Sequence, residues 1–179
     1  DALLFSDYDK GVLSRRSIST LIKAAREMGN IVITANPKPP SVHFYEDADI
    51  ITLNKFEADT AGRTTRFEDG TEESFHEAGM RLREQLAVRN LLVTRSSDGL
   101  TIFRKEDFRD FPAHRVEVFD GTGAGDSTIA AMTLALAAGA DLLDAVAIGN
   151  AAGGAVVRKV GVVTATREEI AALLAEPHG

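Results

Sequence analysis

The stretch Phe119–Asp126, with the sequence FDGTGAGD, decides the fold of this chain, and an apolar run over Ser127–Leu136 follows it directly. Alternating glycines let backbone N–H groups approach an anion closely. The apolar run predicts a helix whose positive dipole end points at the same place. Asp126 falls in the first turn of that helix, where a carboxylate stays ionised and can accept a proton from a hydroxyl. The pattern therefore favours transfer of a phosphoryl group to an alcohol.

Two other glycine motifs are excluded by the residues at the end of this stretch. A dinucleotide-binding fingerprint requires a third glycine where Asp126 stands. A P-loop requires Lys and then Ser or Thr after its last glycine, and this chain has Asp126 and Ser127 there. One alternative stays open, which is an ordinary strand-to-helix turn in which Asp126 only stabilises the helix N-terminus.

The composition limits the class of protein. A chain of 179 residues with 44% hydrophobic content can bury one core, so we expect residues 1–179 to form a single domain. The net charge of −7 argues against a nucleic-acid partner, because phosphate backbones require clustered Lys and Arg. The sequence has no cysteine and opens without a signal-like apolar core, which predicts a cytoplasmic protein. The longest mostly apolar stretch, 129–140, is shorter than the ~20 residues that cross a bilayer, so no membrane segment is expected.

Strand-like and helix-like segments alternate along the chain. Four continuous apolar runs suit strands buried on both faces of a parallel sheet: Ala2–Phe5, Ile31–Thr34, Ile50–Leu53 and Leu91–Thr94. Helical spacing defines two apolar faces between them, Ile18, Leu21, Ile22, Ala25 and Met28 on one and Phe75, Ala78, Leu82 and Leu86 on the other. The alternation predicts a three-layer α/β fold of the Rossmann-like type with a mostly parallel sheet.

The remaining segments are assigned from their composition. Leu100–Phe103 predicts a further strand, and the charged stretch 104–110 predicts a solvated turn. The last third is expected to be helical apart from a turn at 160–163, and the helix after the glycines is expected to be almost wholly buried. The polar stretch 60–71 is the best candidate for a mobile loop.

The glycine stretch resembles the second signature of the ribokinase-like carbohydrate kinases, the PfkB family, which is close to D-x-T-G-A-G-D. Every fixed position of that signature is matched over Asp120–Asp126. The resemblance implies a ribokinase-like fold and an ATP-dependent sugar kinase, with Asp126 as the catalytic base and the amides of Gly123, Ala124 and Gly125 as the anion hole. It extends to about Glu176, and the N-terminal portion of the family fold is expected to be missing.

Two further sets of residues follow the order of the family's motifs. Asn54–Glu57 looks like its N-x-x-E motif, which implies that Asn54 and Glu57 hold Mg²⁺ beside ATP. A helix capping box made by the same two residues is the alternative. The resemblance further implies nucleotide contacts at Thr94, Ser96, Gly99, Asn150 and Gly153. For the last two of these, close packing between helices is an equally physical explanation.

The acceptor side is predicted from the ends of the first two strands. Ser6–Leu13 and Asn36–Lys38 most resemble the branch of the family that phosphorylates heptose phosphates, which implies a small sugar or sugar phosphate as the partner. Asp7 and Lys10 follow the first strand, and ligands bind at the carboxyl edge of a parallel sheet, so both are candidates for substrate binding. The alternative is a solvated charged turn. Tyr8 is interpreted as a packing residue that could also flank a ligand.

Three functional interpretations stay open. The first is a carbohydrate kinase that uses ATP and Mg²⁺. The second is a non-catalytic nucleotide-binding or regulatory module that needs another chain to complete its site, so that a homodimer or a complementing chain is a possible assembly. The third is a structural fragment that binds no nucleotide, and the intact loop at Asp126 argues against it.

Overall fold

The computed structural model describes residues 1–62 and 72–176. It contains strands β1 (Ala2–Ser6), β2 (Val32–Asn36), β3 (Ile50–Asn54), β4 (Asn90–Thr94), β5 (Leu100–Phe103) and β6 (Phe108–Phe111). The helices are α1 (Arg15–Glu27), α2 (Lys55–Ala61), α3 (Glu72–Gln85), α4 (Ala124–Ala137), α5 (Leu142–Val156) and α6 (Arg167–Ala175), with short 3₁₀ turns at Val42–Tyr45 and Ser96–Asp98.

The described strands form one sheet in the order β1-β2-β3-β4-β5-β6. The first four are parallel, and β5 and β6 join them antiparallel. A parallel pair requires a long crossover, whereas β4 and β5 are connected by a tight turn and can only run in opposite directions. Gly99 makes that turn possible with its φ of +86°, and a Cβ at this position would lie only 2.0 Å from the Phe111 carbonyl oxygen, which excludes any larger residue.

Helices cover both faces of the sheet. On one face, α1, α2 and α3 pack on strand residues such as Leu91 and Val93 in the larger apolar cluster. On the other face, α4 and α5 pack on Leu92 and Ile102 in a second cluster. Alternate residues of β4 thus point to opposite cores, which explains why its apolar run is continuous. The three-layer, mostly parallel α/β architecture is confirmed.

Three local expectations were wrong. Leu21 is 44% exposed and Met28 is 77% exposed, because α1 buries only the narrower stripe formed by Ile18, Ile22 and Ala25. Residues 108–110, expected in a solvated turn, belong to β6, which pairs with β5 and places Asp110 within hydrogen-bonding distance of the Thr101 hydroxyl. The helix after the glycines is only partly enclosed, since Leu134 is 70% exposed.

Two further expectations concern the predicted mobile loop and the absence of a membrane segment. Most of the predicted mobile loop, residues 63–71, lies outside the described residues. Across residues 1–62 and 72–176, none of the helices combines the length and apolar content that a bilayer span requires.

Gly79→Ala tests the packing between α3 and the sheet. A Cβ at position 79 would lie 2.1 Å from Cζ of Phe103, a ring that is fully buried. Ala normally favours a helix over Gly by about 1 kcal/mol. Here we expect overpacking to reverse the sign and lower the free energy of unfolding by about 1–3 kcal/mol, measured by urea denaturation.

Glu77→Ala on the exposed side of the same helix is the matched control. Its ion pair with Arg81 is long, at 3.6 Å, and both side chains are more than half exposed. We expect a change within about 0.5 kcal/mol. A Gly79→Ala protein as stable as the wild type would contradict the packing described for Phe103.

Candidate active site

Helix α4 begins in a glycine loop whose shape is fixed by one carboxylate. The Asp120 carboxylate accepts hydrogen bonds from the Thr122 hydroxyl at 2.7 Å, the Thr122 N–H at 2.9 Å and the Gly161 N–H at 3.0 Å. These bonds, led by the Thr122 hydroxyl, hold the pKa of Asp120 below its ordinary value. Asp120 therefore stays ionised and joins the loop to the turn between α5 and α6.

The loop leaves backbone donors at the helix N-terminus. Gly123 is the N-cap with φ of +80°, and no side chain caps the helix. The Ala124 N–H makes a long 3.3 Å bond to the Gly121 carbonyl. Within the described part of the chain, the N–H groups of Gly123 and Gly125 have no acceptor, as expected for the first turn of a helix. They can therefore bind an anion.

These glycines line a cleft at the carboxyl edge of the sheet. The cleft has a volume of about 160 Å³. That volume is smaller than a site for a whole drug-sized ligand, which takes about 300–1,000 Å³. The cleft is lined by Tyr8, Asn36, Lys38, Thr52, Leu53, Asn54, Glu57, Thr94, Gly123, Gly125 and Asp126.

A partly buried ion pair lines the cleft. Nζ of Lys38 lies 2.6 Å from Oε1 of Glu57, whose side chain is 8% exposed. The other Glu57 oxygen accepts the N–H of Asn54 at 2.9 Å, and Oδ1 of Asn54 accepts the N–H of Glu57 at 2.8 Å. The capping box is therefore present, and Lys38 adds a positive charge that faces the cleft.

Asp126 also lines the cleft. Its side chain is exposed at the cleft, and its Oδ2 accepts a 2.6 Å hydrogen bond from the Tyr8 hydroxyl. The Lys38 ammonium lies 5.7 Å from the centre of the Tyr8 ring, within the range of a cation–π contact. A carboxylate, an ammonium group and two unpaired amides thus share one small cleft, which is an arrangement for moving a proton beside a transferring anion.

The profile of the pfkB family of carbohydrate kinases matches residues 6–169. The chain belongs to this family. The match spans nearly the whole chain and contains the glycine loop, Asp126 and the Asn54–Glu57 segment. The ribokinase-like resemblance of the sequence is thereby confirmed.

Curated proteins and solved structures agree with the family. The bifunctional protein HldE of Nitratiruptor sp. is 40% identical over 170 residues, which cover 95% of this chain and 35% of that protein. HldE of Geobacter sulfurreducens is 36% identical over 180 residues, covering 100% of this chain and 36% of that protein. The chain therefore spans about a third of the length of these relatives.

Two solved structures show the same fold. Phosphofructokinase-2 from Escherichia coli, in complex with substrates and products, has a TM-score of 0.81 at 21% identity, covering 97% of this chain and 56% of that one. Ribokinase from Thermotoga maritima has a TM-score of 0.76 at 23% identity, covering 98% of this chain and 57% of that one. The sheet and its helices thus match just over half of each structure.

The cleft brings together some of the residues expected from the family's motifs. Thr94, Asn54, Glu57, Gly123, Gly125 and Asp126 line it, and Ala124 lies between two of them. Tyr8 and Lys38 also line it. The sequence motifs contain Lys38 only as part of a turn, and they indicate mainly packing for Tyr8. The same sheet-edge argument that selected Asp7 and Lys10 would have found Tyr8 and Lys38, because Tyr8 follows the end of β1 and Lys38 follows the end of β2.

Asp7 and Lys10 lie outside the lining of the cleft. Asp7 is only 4% exposed, and its Oδ2 accepts hydrogen bonds from the hydroxyls of Ser41 and Tyr45, both at 2.8 Å. The alternative of a solvated turn is therefore wrong for Asp7, because its contacts give it a structural role. Substrate binding at Asp7 stays a prediction. Lys10 is exposed in the turn that follows.

The other predicted nucleotide residues also lie apart from the cleft lining. Ser96 and Gly99 form the turn between β4 and β5. Nδ2 of Asn150 donates to the Pro112 carbonyl at 2.8 Å. A Cβ at Gly153 would lie 2.5 Å from the Thr128 hydroxyl, so close packing of α5 on α4 accounts for this glycine. Nucleotide contacts at these positions stay predictions.

Asp7→Ala tests the structural role of Asp7. The Tyr45 hydroxyl is buried and would lose its acceptor. In the intact protein, burial raises the pKa of Tyr45, and the hydrogen bond to Asp7 raises it further. We expect the free energy of unfolding to fall by about 1–3 kcal/mol in chemical denaturation. Lys10→Ala, three residues further on in an exposed position, should leave stability unchanged. Equal stability of Asp7→Ala and the wild type would be inconsistent with the network.

Proposed function

We propose that the chain forms the nucleotide-binding and catalytic part of a carbohydrate kinase, which transfers the γ-phosphoryl group of ATP to a hydroxyl of a sugar or sugar phosphate. The observation that carries the proposal is the position of Asp126, whose carboxylate shares a small cleft with the unpaired amides of Gly123 and Gly125. Membership of the pfkB family supports the same reaction.

The proposed transfer assigns a separate task to each group. Asp126 accepts the proton of the acceptor hydroxyl as the hydroxyl oxygen forms a bond to the γ-phosphorus. The bond from that phosphorus to the bridging oxygen breaks, and its electron pair leaves with ADP. The amides of Gly123, Ala124 and Gly125 donate to the phosphoryl oxygens, and the positive end of α4 stabilises their charge. Lys38 adds a positive charge to the lining of the cleft.

The residues of the cleft fit a hydrated Mg²⁺. Both Glu57 oxygens already accept one hydrogen bond, and each keeps a lone pair for a metal-bound water. Across residues 1–62 and 72–176, no group of three or more His, Cys, Asp or Glu side chains converges to form a cage. Mg²⁺ commonly keeps several waters and takes its other ligands from substrate phosphates. Glu57, supported by Asn54, would hold the ion, which would supply charge neutralisation of the phosphates.

The acceptor is proposed from the strand ends. Ser6–Leu13 and Asn36–Lys38 resemble the branch of the family that phosphorylates heptose phosphates, and the curated relatives at 36–40% identity are HldE proteins. A heptose phosphate is therefore the first acceptor to test, with other sugars and sugar phosphates after it. Use of ATP and the absence of cysteine from the sequence support a cytoplasmic location.

A second candidate is a nucleotide-binding module that needs another polypeptide, either a second copy or a complementing chain, to complete the site. The chain matches 35% of an HldE protein and 56% of phosphofructokinase-2. Isothermal titration with ATP and Mg²⁺, combined with an assay of acceptor-dependent ADP release, separates the two. Binding without turnover for any acceptor would favour the module.

Asp126→Asn tests the proposed base. Loss of a general base typically costs about 10²–10⁴-fold in rate, so we expect kcat in the complete gene product to fall by that factor while ATP affinity stays nearly unchanged. Asp144→Asn is the matched control, because Asp144 occupies the same first-turn position in α5 and lies outside the lining of the cleft. Full turnover by Asp126→Asn would refute the role of Asp126 as the general base.

Glu57→Gln tests the metal side of the cleft. Removing the carboxylate charge should raise the Mg²⁺ concentration needed for half-maximal activity by about tenfold, measured at saturating ATP. Glu169→Gln is the matched control, because Glu169 completes the capping box of α6. Its Oε1 also lies 2.7 Å from Nζ of Lys159. An identical Mg²⁺ dependence of the two variants would show that Glu57 serves only to cap α2.

A further inference from the structure

The hydrogen bond between Tyr8 and Asp126 connects residues that are 118 positions apart in the chain. It joins the turn after β1 to the first turn of α4, and both residues line the cleft. The donor–acceptor distance of 2.6 Å is typical of a hydroxyl that donates to a carboxylate. Asp126 is also the proposed base, so the contact bears directly on the reacting atoms.

Packing does not explain the position of Tyr8. Its side chain is 54% exposed, whereas Tyr45, the other tyrosine of the sequence, is fully buried. Exposed hydrogen bonds contribute little to stability, because water competes for both partners. The exposed ring of Tyr8 beside a carboxylate therefore points to a role in the cleft and not in the hydrophobic core.

The ring of Tyr8 is itself held in place. The Lys38 ammonium lies 5.7 Å from the ring centre, and the same ammonium is fixed by its 2.6 Å ion pair with Glu57. Glu57 therefore contacts Lys38, Lys38 contacts the Tyr8 ring, and the Tyr8 hydroxyl contacts Asp126. This chain of contacts connects the proposed metal side of the cleft to the proposed base.

We propose that Tyr8 is a positioning residue of the kinase, which holds Oδ2 of Asp126 by a hydrogen bond and leaves Oδ1 to accept the proton of the substrate hydroxyl. The role rests on the proposed function of Asp126. Across the residues that the structure describes, Oδ1 has no hydrogen-bond donor, so the second oxygen is available to a substrate. A carboxylate held by one oxygen keeps a fixed orientation, and small errors of orientation are costly in proton transfer.

The protonation of Tyr8 suits this role. The hydrogen bond to Asp126, with some burial and the charge of that carboxylate, raises the pKa of Tyr8 above its ordinary value of 10.0. A raised pKa favours the neutral phenol, so Tyr8 remains a donor throughout the neutral pH range. The neighbouring charges that face its ring and hydroxyl are Asp126 and Lys38.

Tyr8→Phe removes the hydroxyl and keeps the ring under Lys38. In the complete gene product we expect kcat to fall about tenfold, with KM for ATP and the melting temperature unchanged. Tyr45→Phe is the matched control, because it also removes a hydroxyl that donates to a carboxylate, at 2.8 Å from Asp7, but inside the core. That variant should lose stability and keep kcat.

A titration tests the contact without requiring turnover. The sequence has two tyrosines, and burial raises the pKa of Tyr45 further than that of Tyr8, so the first phenolate to form on raising the pH belongs to Tyr8. Ultraviolet absorbance should show this step above pH 10 in the wild type and at lower pH in Asp126→Asn. Tyr8→Phe, which lacks the step, confirms the assignment.

The outcomes separate this role from the proposed function. Wild-type kcat in Tyr8→Phe, or a phenolate step that Asp126→Asn does not move, would overturn the positioning role and leave the kinase proposal intact. No acceptor-dependent turnover in the wild-type gene product would overturn the kinase and the role together. A fall in kcat with unchanged stability, together with the shifted titration, would support both.

Discussion

The cleft is organised around backbone N–H groups that α4 cannot satisfy. A helix leaves its first N–H groups without internal partners, and none of the side chains of residues 1–62 and 72–176 caps them here. Gly123 takes a positive φ at the point where the chain enters the helix, and Asp120 fixes the loop before it. The unpaired donors and the dipole of α4 together make this end of the helix electropositive. Asp126 stays close to this site because it is part of the same first turn.

The sheet brings the other groups to that point. Four parallel strands end at one edge, so Tyr8 and Lys38, which follow β1 and β2, and Asn54, the last residue of β3, come to the same place. Close packing of α5 on α4, through Gly149 and Gly153 against Thr128, fixes the helix that carries the base. The hydrogen bond of Tyr8 to the first turn of α4 would not form if that helix were displaced from the sheet.

Much of this could be predicted from local sequence patterns. The four parallel strands were recognisable because each has a continuous apolar run, as in β4 with Leu91, Leu92 and Val93. Burial on both faces was expected for all four, but in the edge strand β1 only Phe5 is buried. The glycine loop was recognisable because its donors, its dipole and Asp126 lie within eight consecutive residues. The prediction was wrong at β6, because the charged stretch 104–110 indicated a solvated turn. Pairing with β5 outweighs the polarity of residues 108–110 there. The contact of Tyr8 with Asp126 and the burial of Asp7 depend on residues far apart in the chain, and no local pattern records them.

The most direct test is a crystal structure of the complete gene product with ADP, Mg²⁺, a sugar phosphate and aluminium fluoride, which mimics a phosphoryl group in transfer. The account predicts that the mimic lies within hydrogen-bonding distance of the amides of Gly123 to Gly125, with the Asp126 carboxylate against the acceptor hydroxyl. A mimic bound away from the N-terminus of α4, or an Asp126 turned out of the cleft, would contradict it.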